Sequence, residues 1–140
     1  MGGILHFLLG YTFIHTLDTR GLVISLFFGL VFAGGHLNQE VRDYEGDLLN
    51  KICTTAVVFG RQRTFLASLC TFTAAYAIVT GLAALNILPK LLLWSPIIWL
   101  LHIVWSLQAL QRGLGFETAI LMQRRYRVLF ALLGLAMLTK

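Results

Sequence analysis

Thr64-Phe65-Leu66-Ala67-Ser68-Leu69-Cys70-Thr71-Phe72-Thr73-Ala74-Ala75-Tyr76-Ala77-Ile78-Val79-Thr80-Gly81-Leu82-Ala83-Ala84-Leu85-Asn86-Ile87-Leu88 runs without one charged side chain and closes at Pro89-Lys90. A helix of ~20 mostly apolar residues crosses the ~30 Å hydrocarbon layer of a bilayer. The stretch is long enough, so it predicts a transmembrane helix. Four more apolar runs lie around it, at residues 3–16, 21–37, 91–110 and 118–138. The first is short for a full crossing. The fourth in chain order contains Pro96, a possible kink that membrane helices tolerate. No sustained alternation of period two, bounded by turn residues, competes with the helical reading.

Composition agrees. The chain has 140 residues, 58% of them hydrophobic and 12% charged, with a mean hydropathy of +0.80. Soluble domains carry about a quarter charged residues, and five spans with short connections leave no room for a soluble domain. The expectation is an all-α, polytopic transmembrane bundle of about five helices, forming a single membrane domain over residues 1–140. The formal charge of +5 does not indicate nucleic acid, because the basic residues stand between apolar runs and form no patch or tail. Cys53 and Cys70 show neither metal-ligand spacing nor a disulfide framework. Met1-Gly2-Gly3 leads directly into Ile4–Phe13 with no basic n-region, which reads as the interior of a longer protein.

Threading the runs alternately through a bilayer collects Arg42, Lys51, Arg61, Arg63, Arg112, Arg124, Arg125 and Arg127 on one side. Arg20, Lys90 and Lys140 fall on the other. Positive residues concentrate on cytoplasmic faces, so residues 36–63 are expected in the cytoplasm. Arg124 to Arg127 are then expected at the cytoplasmic mouth of the last helix, as an interfacial anchor.

Residues 36–63 hold the chemistry. In Gly35-His36-Leu37-Asn38-Gln39-Glu40-Val41-Arg42-Asp43-Tyr44-Glu45-Gly46-Asp47, four of the chain's six carboxylates fall within eight residues. If the helix continues past the membrane edge, Asp43 and Asp47 are one turn apart on one face, with Glu40 one turn earlier and Glu45 pointing elsewhere. Like charges at that spacing repel by a few tenths of a kcal/mol, a cost that a bound cation offsets. Oxygen ligands on adjacent turns suit Mg²⁺, which is held by one or two carboxylates plus substrate phosphates and keeps several waters. The competing reading is a solvated helix end, where charges gather because lipid excludes them.

His36–Gly60, written H-x3-E-x2-D-x3-D-x6-T-T-A-V-x-F-G, resembles the second aspartate-rich motif of the UbiA superfamily of intramembrane prenyltransferases. The five runs resemble the C-terminal half of that nine-helix fold. The resemblance implies transfer of a polyprenyl group from its diphosphate to an aromatic or lipid acceptor. It implies Mg²⁺ held by Asp43 and Asp47 with Glu40 as a further ligand, diphosphate contacts from Arg42, Lys51 and Arg61, and acceptor binding by Asn38. No catalytic residue is assigned. His36 reads as an interfacial histidine, and Tyr44 reads equally as a packing or a functional residue. The chain departs from the family pattern in two ways. Asn50-Lys51 stand where glycine is usual, and the first motif, N-D-x2-D-x3-D, does not occur. A two-carboxylate-cluster site therefore needs further helices or a partner chain, and the chain alone is expected to be inactive. The alternative is a non-catalytic membrane module or a degenerate paralogue. A channel or transporter subunit has only His102 in its favour.

Overall fold

The computed structural model describes residues 2–139. Met1 and Lys140, the latter one of the three cations assigned to the non-cytoplasmic side, lie outside the described residues. Every element is helical: α1 (Gly2–Thr12), α2 (Thr19–Leu49), a short α3 (Thr55–Phe59), α4 (Arg61–Ala84), a 3₁₀ turn (Lys90–Trp94), α5 (Ser95–Gln111) and α6 (Phe116–Ala136). The expected bundle of about five helices is found, with α3 an addition inside the stretch between the second and third runs.

The helix on which the acidic face depends does continue: α2 runs past residue 37, where its apolar run ends, to Leu49. Gln39, Glu40, Arg42 and Glu45 are competent helix formers, and no proline interrupts them. Asp18 starts the helix, its carboxylate accepting the Gly21 N–H at 2.7 Å and the Tyr11 hydroxyl at 3.0 Å. The far end is a Schellman turn: the Ile52 N–H reaches the Asp47 carbonyl at 2.8 Å and the Lys51 N–H reaches Leu48 at 3.3 Å. That turn requires a left-handed residue, and Lys51 supplies it with φ 56°. Glycine is the usual occupant because it lacks the Cβ that strains this conformation. Lys51→Gly is therefore expected to raise stability by about 1 kcal/mol, reduced slightly by loss of a cation near a helix C-terminus. Thermal unfolding in detergent would reveal it, and an unchanged midpoint would show the strain to be absent.

Three helical segments among the described residues are long and apolar enough to cross a membrane: Thr19–Leu49, Arg61–Ala84 and Lys90–Gln111. The other two runs differ from simple spans. α1 has 11 residues, about 16 Å at 1.5 Å each. α6 begins at Phe116, so Arg124, Arg125 and Arg127 lie in its middle and not at its mouth. Pro96 does not kink a helix either. It occupies the first turn of α5, where a missing N–H breaks no hydrogen bond.

Packing is arranged for lipid. Leu66, Ile97, Leu100, Val104 and Leu107 are exposed, while Ser25, Ser68, Ser95, His102 and Ser106 are buried. Between helices that already sit in hydrocarbon, close approach and polar contacts hold the bundle where water exclusion does not. Ser68 donates to the Gly34 carbonyl at 2.7 Å, Thr80 and Ser95 share a hydrogen bond at 2.6 Å, and the Trp99 indole donates to Thr73 at 3.1 Å. Gly34 permits the α2–α4 approach, since a Cβ there would meet the Phe72 ring at 2.8 Å. At the centre, Phe72 lies 4.8 Å from the Tyr126 ring and 5.1 Å from those of Phe130 and His102. A second, smaller core of Val41, Phe65, Ala109, Leu114, Ala119 and Met122 supports the acidic end of α2.

Candidate active site

The acidic face of α2 is built by the continuous helix itself. His36, Glu40, Asp43 and Asp47 recur at spacings of three or four, so they share one side. Asp43 and Asp47 are both partly exposed, separated by one turn and about 6 Å of rise.

The residues beneath them are held by three elements. The Glu40 carboxylate is largely buried, 13% exposed; one oxygen accepts the Ala56 N–H of α3 at 3.2 Å and the other lies 3.5 Å from His36 Nε2. Thr54 caps α3 with its hydroxyl toward the Val57 N–H. The Thr-Thr-Ala-Val run is thus a helix start that docks on Glu40. Gly60, which ends the run, has φ 89° and ψ 151°, a region open essentially to glycine alone. Gly60→Ala has room for its methyl group, yet is expected to lose about 1–3 kcal/mol from backbone strain alone. A thermal midpoint equal to that of the parent protein would contradict this account of the Phe-Gly pair.

The arginines assigned to the diphosphate are engaged within the protein. Arg42 donates from Nε and Nη2 to the two Asp43 oxygens at 2.7 and 2.6 Å, and from Nη1 to Gln123 Oε1 on α6 at 2.8 Å. Its guanidinium holds the Asp43 carboxyl below the usual carboxylate range. The sign follows from linkage: this contact contributes stability that is fully present above the unfolded carboxyl value near ~4 and is lost as pH falls through the lowered folded value. Arg61, at the start of α4, pairs with Glu45 at 3.1 Å, reaches the Leu114 carbonyl at 3.4 Å and lies 4.8 Å above the Tyr44 ring. Lys51 is exposed on its turn. Asn38, proposed for the acceptor, faces inward and is 2% exposed, with its Oδ1 unpaired among the described residues.

Two features of α6 were not evident in the sequence. Gln123 is buried and anchors Arg42 across 81 residues of chain. Tyr126 and Arg127 close a cleft of about 210 Å³ against Val31, Phe32, Gly35, His36 and Gln39, about one to three turns before Asp43 along α2. The available signal was a glutamine inside an apolar helix, which asks for a buried partner. Arg125 instead stacks on Trp105, 4.9 Å from its ring centroid.

Both Asp43 oxygens are taken by Arg42, and Asp47 stands partly exposed one turn further on. Two carboxylates on one helix face are a donor set that fits a partly hydrated Mg²⁺ completed by substrate phosphates, and not an enclosed metal cage. Among the described residues no group of three or more His, Cys, Asp or Glu side chains converges on one point.

A family model described as the UbiA prenyltransferase family matches residues 1–126 of the chain. No curated protein and no solved structure matches it.

Proposed function

The chain belongs to the UbiA prenyltransferase family, and from that membership we propose that it carries one half of a site for Mg²⁺-dependent transfer of a polyprenyl group from its diphosphate to an aromatic or lipid acceptor. The observation that supports this reading most is the Asp43–Asp47 pair, raised on a helix that leaves the apolar layer and flanked by arginines from α2 and α4. Asp43 and Asp47 would hold Mg²⁺, whose charge would stabilise the leaving diphosphate, and Glu40 orients α3 beneath them as well as being available as a further ligand. Arg42, Lys51 and Arg61 supply positive charge for the leaving diphosphate. Asn38 is the residue assigned to the acceptor, and Val31 and Phe32 of the cleft lead from the acidic face into the apolar layer. Residues 36–63 lie on the cytoplasmic side in this reading.

One carboxylate cluster does not make a two-metal site, so helices bearing N-D-x2-D-x3-D complete it, from a neighbouring segment or another chain. The test is to co-express such a segment with this chain and supply labelled geranylgeranyl diphosphate to the purified membranes. Transfer of label to membrane acceptors that needs both components and stops with a chelator is the expected result. Transfer insensitive to chelation, or none from the complete assembly, would favour a non-catalytic module.

A further inference from the structure

Arg42 is the side chain whose position the proposed reaction leaves unexplained. A cation assigned to the diphosphate instead covers both oxygens of a metal ligand. Adjacent residues on a helix do not face each other, so the guanidinium reaches Asp43 only by folding sideways along α2. What holds it there is Gln123. Its Oε1 accepts from Nη1, and its Nε2 is buried with no partner among the described residues. The reverse orientation of that amide would set donor against donor, since arginine has no acceptor. Arg42 therefore fixes the orientation of the amide, a role that an apolar side chain of similar size could not fill.

Charge balance gives the arrangement a purpose. Asp43 and Asp47 together carry two negative charges, and Arg42 reduces the site to one. The Asp43 side chain is 43% exposed and that of Arg42 is 28% exposed, so neither is locked in the core and exchange of partners is sterically open. We propose that Arg42 is the resident counter-ion of the carboxylate pair and Gln123 its positioning residue. Arg42 neutralises Asp43 while no divalent cation is bound and releases it when one arrives. Nη1 remains on Gln123, and Nε and Nη2 are then turned toward the diphosphate that accompanies the ion. This rests on the reading of Asp43 and Asp47 as Mg²⁺ ligands, and it makes Arg42 a diphosphate contact only after that ion has bound.

The test uses Mn²⁺ as the spin probe for Mg²⁺, titrated into the full chain in detergent and followed by electron paramagnetic resonance. Asp43→Asn defines which binding belongs to the site. Arg42→Gln is expected to bind Mn²⁺ on the order of tenfold more tightly, because a unit charge a few ångströms from the ion is removed. Gln123→Leu, which removes only the anchor, is expected to tighten binding by roughly two- to threefold, as a freely rotating arginine competes less well. A merely structural bridge predicts the opposite: both variants loosen the fold and weaken the site. Should Arg42→Gln fail to fold, Arg42→Lys keeps the charge without the fork, and an intermediate tightening is expected. Unchanged or weaker affinity in the folded variants would overturn the counter-ion role and leave the metal reading intact. Absence of any Mn²⁺ signal sensitive to Asp43→Asn, in the parent and the Arg42 variants alike, would remove both.

Discussion

Exchanging Asp43 or Asp47 for asparagine is expected to lower Mg²⁺-dependent prenyl transfer by the assembled enzyme at least about a hundredfold, the scale on which single charge-stabilising groups act in a transition state. Asparagine has the shape of aspartate and both positions are partly exposed, so Asp47→Asn leaves the packing intact, while Asp43→Asn also gives up the ionic contact with Arg42 and is read beside a thermal midpoint. In the proposed site each substitution removes a negative charge from the pair assigned to the cation. Glu117→Gln is the control: Glu117 is exposed in the first turn of α6 and is not among the residues assigned to the site, and transfer should stay within about twofold, as surface changes of this kind rarely matter by more. Equal rates for Asp43→Asn, Asp47→Asn and the control would mean that the carboxylates are only solvated charges at a helix end.

Phe72→Ala is the substitution expected to damage the fold most. The ring is 1% exposed and lies among Tyr126, Phe130 and His102 while closing over Gly34. In a water-soluble protein such a truncation loses about 3–5 kcal/mol. Part of that comes from transfer out of water, which is weak here because lipid tails solvate a ring almost as well as the core does. Loss of packing contacts remains, so about 3 kcal/mol is expected, at the lower end of the range. Unfolding in mixed detergent measures it. Leu66→Ala on the same helix faces outward at 46% exposure and should lose less than about 1 kcal/mol. Equal effects at the two positions would mean that the bundle is not packed around Phe72.

The helices were readable because long uncharged runs have few alternatives. Residues 64–88 announce α4 within a few positions of its observed bounds, Arg61–Ala84. Ends were less legible. Nothing apolar marks Asn38 to Leu49 as helix; its continuity comes from helix-forming polar residues and from support by α3 and α6. Pro89 and Pro96 bracket a 3₁₀ turn that hydropathy reads as part of one span. The acidic face was legible from spacing alone, since three- and four-residue intervals fix a helical side. Its surroundings were not. Arg42 and Arg61 looked like free cations, but their partners Gln123 and Leu114 lie 81 and 53 residues away, and no local pattern encodes such pairings. Lys51 is intermediate: the absence of glycine was visible, whereas the reason glycine is favoured, a left-handed turn, needed the backbone.

The unbroken course of α2 acts as a gauge. Its 31 residues extend about 46 Å, so the rotation and height of the carboxylates are dictated by every residue between Asp18 and Asp43. One residue inserted between Ile24 and Gly35 would swing Asp43 and Asp47 by about 100° and raise them by about 1.5 Å, stranding Gln123 without Arg42 while lengthening the apolar run by only that residue. The same insertion at residues 50–54, past the end of the helix, would leave that alignment untouched. Length variation should therefore be tolerated after the acidic pair and forbidden before it.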